Sequence, residues 1–557
     1  LEENLKKGDS MKTIRFIGAA LVVFALLLFS GSIFIGTYEV DAVAFEEYAA
    51  YRAADRGEAG FASEELQSAF QANVVGQSFS NQWAFSSAVK QSLESANQTQ
   101  KDNGAWDKVV WTSPGEIAFE LGQRYIDSPI KNNMGLFFFL TIILGSLGGL
   151  MFIIPGFVLD GPAGIKNHHV YHQGSTNRGL IAWVVFAWLI GFYVLLYWYP
   201  NLIVNWTLIV QPAKNWFAEG FASQWFLYGF LYCTIMIVMG IRMLVKYRHN
   251  KYQIVRTGSV IFFQVVFAFL LVEILPIFNL PGVDFKNAWP LDYDFLFDWN
   301  VVSLLQTESY GKFGVFVFVW GILLSLVLVP VFVYFFGKRW YCSWVCGCGG
   351  LAETLGDPYR QHSSKSLFSW KVERWLIHGV LLFAILMTVW VGYHSYNVVE
   401  EINPEGGADK LLGISAHDVR SAYGFWIGSI FAGIVGTGFY PIFGNRMWCR
   451  FGCPLAAYMG FVQRFKSRFR ITTNGGQCIS CGNCSTYCEQ GIDVRWYAQR
   501  GQNVVRSSCV GCGVCSAVCP RGVLKLENGP EEARINSNPI QIGPGTAHLS
   551  EEVTNQQ

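Results

Sequence analysis

A chain of 557 residues, 52% hydrophobic, 16% aromatic and only 15% charged, is far more apolar than a soluble enzyme, in which about a quarter of residues are charged. Its mean hydropathy of +0.29 excludes an ordinary water-soluble domain and marks an integral membrane protein. The formal net charge of +1 argues against nucleic acid as a partner, because phosphate binding needs a clustered positive excess.

Crossing about 30 Å of hydrocarbon takes about 20 apolar residues. About eight such stretches occur, near 14–36, 135–157, 179–199, 222–243, 257–279, 313–336, 376–396 and 423–443. The expected fold class is a polytopic α-helical membrane protein. The first stretch, 14–36, is long and lacks a clear small-residue cleavage site, so it is read as a retained N-terminal anchor rather than a signal peptide. Residues 37–134 form a polar interlude with helix-like stretches such as Ser63 to Gln71, expected to be a small periplasmic helical domain. Residues 135–256 carry spans two to four, and Cys233 in the fourth reads as a small buried apolar residue.

Lys and Arg collect in the loops that stay on the cytoplasmic side. Lys12 and Arg15 precede the first span; Arg242, Lys246, Arg248, Lys251 and Arg256 separate the fourth from the fifth; Lys338, Arg339, Arg360, Lys365, Lys371 and Arg374 separate the sixth from the seventh. The connections near 280–312 and 397–422 carry Asp284, Asp292, Asp294, Asp298, Glu400, Glu401 and Glu405 instead, as expected outside. An even number of spans then puts both termini in the cytoplasm.

Residues 257–460 contain two helix pairs, each ending in the same turn. One is Gly337-Lys338-Arg339-Trp340-Tyr341-Cys342-x3-Cys346-Gly347, the other Gly444-Asn445-Arg446-Met447-Trp448-Cys449-x3-Cys453-Pro454. Pseudo-symmetry would gather four thiols at the inner membrane surface. Residues 461–470 alternate Phe461, Phe465 and Phe469 with Arg464, Lys466, Arg468 and Arg470, the makeup of an interfacial basic linker helix.

Residues 471–528 hold eight of the fourteen cysteines. They fall into two runs of C-x2-C-x2-C-x3-C: Cys478, Cys481, Cys484, Cys488 and Cys509, Cys512, Cys515, Cys519. This is the ligand spacing for two [4Fe–4S] clusters, in which the fourth cysteine of each run serves the other cluster. Cys478, Cys481, Cys484 and Cys519 would hold one, and Cys509, Cys512, Cys515 and Cys488 the second, in a bacterial-type ferredoxin-like domain. Paired structural zinc sites are the competing reading of four-thiolate sets. Clusters need reduced thiols, so these runs belong in the cytoplasm, where the charge pattern independently puts them. The tail 529–557 is polar and expected to be disordered.

The duplicated turn followed by the double cluster run resembles the membrane-bound polyferredoxins of the NosR/NapH type, with the oxidase-assembly family CcoG (RdxA, FixG) as a relative. The resemblance covers about residues 257–528 and implies a bacterial inner-membrane location. It implies electron transfer between the quinone pool and a partner, or reduction of a metal during assembly, and gives Cys342, Cys346, Cys449 and Cys453 the positions of the family's paired membrane-edge cysteines. The chain departs from that pattern in three ways. Gly347 replaces a proline and an extra Cys348 follows; Glu489 replaces the proline that Pro520 retains; and no Ser-Gly-Ala-Thr sequence for a covalent flavin occurs in residues 37–134.

The membrane-edge thiols, Cys348 included, are open to three readings: a third cluster or other metal, a reversible disulfide system, or packing. Haem is disfavoured. No Cys-x2-Cys-His occurs; His378 and His394 lie sixteen residues apart, about 24 Å of helix, and cannot share one haem; His168, His169 and His172 read as a polar loop. Glu273, within the fifth span, is the candidate proton acceptor from a quinol. The leading functional reading is a respiratory iron–sulfur protein of the quinol-dehydrogenase kind, exchanging electrons between quinol or a cytoplasmic donor and a partner. The alternatives are an assembly factor that reduces copper or a disulfide, and a non-catalytic relay subunit of a larger membrane complex. Expected partners are membrane lipid, the quinone pool and a redox protein.

Overall fold

The computed structural model describes residues 2–55, 57–159, 177–307, 310–337, 339–399, 410–411, 413–463, 467–474, 477–504 and 506–528. The histidine loop 168–172, Lys338, the acidic residues 400–405 and the tail 529–557 lie outside the described residues. The chain divides into two units, one of Leu1–Leu159, Ala187–Arg242 and Phe269–Gly282, the other of Asp160–Phe186, Met243–Ala268 and Val283–Gln557.

Among the described residues, seven helices are long and apolar enough to cross a bilayer: Asp9–Phe34, Met134–Phe157, Leu180–Trp198, Gln224–Lys246, Lys251–Phe278, Gly311–Phe336 and Leu367–Val399. The eighth stretch is also helical, from Ala416 through Gly438. It opens on the polar residues His417, Asp418 and Arg420 and carries Gly424, Gly428, Gly433, Gly436 and Gly438, which dilute its hydropathy.

In the first unit, Asp9–Phe34 lies along Met134–Phe157 through a small-residue contact. A Cβ at Gly18 would stand 2.6 Å from the Gly148 carbonyl, and one at Gly148 2.7 Å from the Leu21 Cβ, so glycines permit the approach. The polar interlude is helical and adds a small antiparallel sheet in which Thr37–Glu39 runs between Ser78–Phe79 and Ile126–Asp127. Ser63 caps helix Glu64–Asn73, its hydroxyl accepting from the Leu66 N–H. Buried Phe45, Tyr48, Phe61, Phe70, Phe85 and Val89 fill the core. Arg52, fully buried, is neutralised there by Glu58, Glu116 and Glu120.

The second unit joins helices to a ferredoxin-like fold. Phe469–Thr473 pairs antiparallel with Leu524–Asn528, and short helices Asn483–Thr486 and Val514–Ala517 carry the third cysteine of each run. The expected interfacial helix at 461–470 is not formed as one element. Helix Pro454–Gln463 ends there and strand Phe469–Thr473 begins. Phe469 is buried because its ring packs on the bare backbone of Gly337 and Gly511, a position that an amphipathic surface helix would forfeit.

Candidate metal centres

The two cysteine runs fold as copies of one loop. Gly482 and Gly513, at φ +81° and +69°, sit in the left-handed region immediately before the two short helices, a conformation that glycine adopts without a Cβ penalty. Each run closes alike: the Cys488 N–H donates to the Ser485 carbonyl, the Cys519 N–H to that of Ser516.

Side chains from the two runs approach one another. One small cavity is lined by Cys478, Cys481, Cys484 and Cys519 and not by Cys488. Burial pushes the Cys484 thiol up to about 12, and the thiols adding to that rise are Cys481, Cys519 and Cys478. Burial likewise pushes Cys488 up to about 11, and the neighbouring thiol that adds to it is Cys509. Cys515 is raised by burial, then by Cys512, Cys509 and Cys488 before Cys484. A thiol so raised releases its proton when it ligates. Among the described residues no group of His, Cys, Asp or Glu is arranged about a single metal ion.

The duplicated turns are related residue by residue. Gly337 and Gly444 have φ of +92° and +95°; the Cys346 N–H donates to the Tyr341 carbonyl and that of Cys453 to the Trp448 carbonyl. Cys346 and Cys453 each begin a helix, with Gly347 and Pro454 as its first residue, a position where proline costs no hydrogen bond. Each sulfur accepts a backbone N–H from three residues on, Gly349 in one copy and Ala456 in the other. The copies also clasp each other: Arg339 Nη1 donates to the Cys449 carbonyl at 2.8 Å, and Arg446 Nη1 to the Cys342 carbonyl at 3.3 Å.

Cys342, Cys346, Cys449 and Cys453 are therefore brought together, all at most 4% exposed, in one buried cluster. Cys348 is hydrogen-bonded to Cys346 beside them. The turns pack against spanning helices rather than beyond their ends. The Ser259 hydroxyl donates to the Trp344 carbonyl at 3.0 Å and the Gln264 amide to that of Val345, and Gln264 is the midpoint of span Lys251–Phe278. The Tyr458 hydroxyl, just past Cys453, donates to the carbonyl of Ser325 midway along Gly311–Phe336. Irregular backbone is tolerated among spanning helices only when protein satisfies it, as these side chains do.

The connection 283–297, expected as an outer acidic loop, also folds in among the helices. Trp289 donates its backbone N–H to Ser325 Oγ and its indole N–H to Thr388 Oγ1, and the Tyr341 hydroxyl donates to the Lys286 carbonyl at 2.6 Å. This brings Lys286, paired with Asp284, close to Cys346. Nothing in the sequence flags Lys286.

A buried charge network joins the two kinds of site. Glu489, 1% exposed, accepts from Arg446 at 2.8 Å, Arg360 at 2.9 Å and Asn445 at 3.2 Å. Arg446 also binds Glu353, which meets Arg256; Arg360 and Lys246 share Asp357. Four cations thus face three carboxylates. Burial works against the Glu489 carboxylate charge, but Arg360 and Arg446 hold its pKa below the usual range. This explains the missing proline, because position 489 carries the central anion. Arg446 Nη1 stands 3.6 Å from Cys449 Sγ, so one guanidinium spans the residue after Cys488 and a thiol of the duplicated turns.

The thiols fit an inorganic cluster in one further respect. The Trp448 indole N–H and Tyr423 hydroxyl are buried without a hydrogen-bond partner; Trp448 adjoins Cys449, and Tyr423 lies close to Cys453. Orphaned donors beside thiolates suit the sulfurs of a bound group.

Other predicted residues lie apart from these thiols in role. Glu273, in the first unit, pairs with Lys214 at 2.8 Å. His394 is buried beside His417 and Asp298, and His378 is exposed. A cavity of about 990 Å³ in the first unit is lined by Glu116, Glu120, Arg124, Tyr197, Trp198 and Trp225 among others, with no thiol.

Comparison with known proteins agrees with this layout. The family described as "4Fe-4S binding domain" matches twice, at residues 318–370 and 423–472, one match for each duplicated turn, and the "4Fe-4S dicluster domain" matches residues 470–520. The chain is 28% identical over 176 residues to the putative electron transport protein YccM of Escherichia coli (strain K12), covering 28% of this chain and 43% of that protein. It is 23% identical over 176 residues to the methylamine utilization ferredoxin-type protein MauN of Methylobacillus flagellatus, covering 30% of this chain and 54% of that protein. The chain thus spans about half the length of the curated relatives it matches. No solved structure matches. The chain is a multi-spanning helical membrane protein with 4Fe–4S domains, distantly related to ferredoxin-type electron-transport proteins.

Proposed function

We propose that this protein is a respiratory electron-transfer protein of the inner membrane. Two [4Fe–4S] clusters, held by the crossed sets Cys478, Cys481, Cys484, Cys519 and Cys509, Cys512, Cys515, Cys488, exchange electrons with a third centre held by Cys342, Cys346, Cys449 and Cys453. When bound, such clusters supply one-electron transfer at potentials set by charge, hydrogen bonds and burial. The chain's residues fix the spacing and exclude water. The ferredoxin-like fold faces the cytoplasm by the distribution of basic loops, and quinol or a soluble donor lies at one end of the route. This reading draws on the resemblance to the NosR/NapH type.

The observation that carries the reading is the tether between the second cysteine run and the duplicated turns. The Tyr252 hydroxyl donates to the Gly511 carbonyl, the Gln253 amide to that of Cys512, and the Ser343 hydroxyl, next to Cys342, to that of Val510. One loop thereby touches both a membrane helix and the first Cys-x3-Cys turn, and an electron leaving the ferredoxin-like fold has a short covalent and hydrogen-bonded path into the bundle. Contacts of the turns with Gln264 and Ser325, within two spans, support a route by which electrons leave the cytoplasmic face.

Reduced quinol analogue added to the purified protein is expected to bleach the cluster absorbance. Clusters that dithionite reduces but that respond to neither quinol nor any soluble carrier would contradict the function.

A further inference from the structure

We propose that the ferredoxin-like fold carries a docking surface for a small acidic one-electron carrier protein, centred over the first cysteine set. The inference rests on the reading of Cys478, Cys481, Cys484 and Cys519 as a cluster set, and it names the kind of partner that meets it.

The two sets differ in access. Cys481 is exposed, and Ile479 beside it is 52% exposed. The loop of the second set is covered by Tyr252, Gln253 and Ser343. An external protein therefore meets the first set more directly than the second, whose cysteines are part-buried.

The rim around that set is cationic. Arg495 and Arg521 line the same small cavity as the four thiols. Arg500 stacks on the exposed Trp496 ring at 4.0 Å, and the Gln499 amide donates to Ser480 Oγ at 2.7 Å, holding helix Val494–Gln499 against the loop between Cys478 and Cys481. Among the described residues from 467 to 528, the exposed charged side chains are Arg468, Arg495, Arg500, Arg521 and Lys525. The carboxylates are withdrawn: Glu489 is buried in its arginine network, Asp493 accepts from Ser485 Oγ at 2.6 Å, and Glu527 is half-buried near Lys525.

An apolar centre of Ile479 and Trp496 ringed by arginines has the layout of a transient protein interface. Its uniform sign selects a partner of the opposite sign and speeds encounter by steering. One electron leaves the carrier's reduced centre, which is oxidised, and enters the group held by the four thiols, which is reduced; no bond forms or breaks and no proton moves.

The test uses the full-length protein in detergent with a reduced acidic [2Fe–2S] ferredoxin as probe. Reduction of the wild type by the ferredoxin is expected to slow steeply as salt rises. The double variant Arg500→Glu, Lys525→Glu, at exposed rim positions outside the thiol cavity, is expected to slow it at least tenfold at low salt and to flatten its salt dependence, with iron per chain and final reduction by dithionite retained. Ferredoxin-driven reduction indifferent to both salt and charge reversal would overturn the proposal. So would charge reversal that leaves that rate intact and weakens only binding to anionic lipid vesicles, which would make the patch a membrane contact. A wild-type protein with no dithionite-reducible absorbance would instead refute the cluster reading beneath it.

Discussion

Replacing Cys519 with serine is expected to remove the cluster whose other ligands are Cys478, Cys481 and Cys484, and to leave the cluster of its own run in place. Iron per chain should fall by about four, the content of one cubane. Cys488→Ser should produce the opposite loss. The two are distinguishable because the first set includes the exposed Cys481, whereas Cys488, Cys509, Cys512 and Cys515 are all part-buried. The electron paramagnetic resonance signal lost in Cys519→Ser should be the one that a water-soluble relaxation agent broadens more, and the signal lost in Cys488→Ser the one it broadens less. The shared cavity lining of Cys519 with the earlier run is the basis of this expectation. Loss of the less broadened signal in Cys519→Ser would mean that each run serves its own cluster.

Glu489→Ala is expected to destabilise the second unit by about 3–5 kcal/mol, the cost of breaking a buried ion pair from one side. Four buried cations would then face two carboxylates, with Arg360 and Arg446 losing their shared partner. The isosteric Glu489→Gln keeps an acceptor for both arginines and should lose less. The check is the unfolding midpoint in detergent alongside iron content. An alanine variant as stable as the wild type would show that Asp357 and Glu353 suffice to hold the arginines.

Both expectations trace to features of very different visibility in the sequence. The cysteine runs are readable because cluster ligation fixes their spacing, and most spans because hydrocarbon thickness fixes their length. The duplication is readable because Gly-x-Arg stands at the same offset before each cysteine pair; the structure adds that the two arginines bond each other's cysteine carbonyl. The packing of the turns against the spans is not readable. Hydropathy registers the helices but not short polar and aromatic segments that fold back among them, so 283–297, rich in Asp and aromatic residues, reads as part of an outer loop. Its polar groups are instead satisfied by Ser325, Thr388 and Tyr341. Glu489 reads as a lapse from a proline pattern because its partners Arg360 and Arg446 are distant in the chain. Phe469 reads as part of an amphipathic helix because the glycines it packs on, Gly337 and Gly511, are likewise remote.

The buried thiols bear most directly on function, since a redox centre held among the spanning helices would change where electrons can be delivered. Cys348 adds a fifth thiol, hydrogen-bonded to Cys346, whose proton must be lost or retained as a group binds. The clasp of Arg339 and Arg446 holds both turns in one geometry, which limits the rearrangement that accompanies a change of charge at the thiols.

Counting iron and acid-labile sulfide on the purified, anaerobically handled chain tests the central claim most directly. About twelve irons per chain are expected, four per cubane for three clusters, falling to about eight when Cys342 and Cys449 are both replaced by serine. About eight irons in the wild type, unchanged by that double replacement, would leave the buried thiols without a cluster and contradict the route into the bundle.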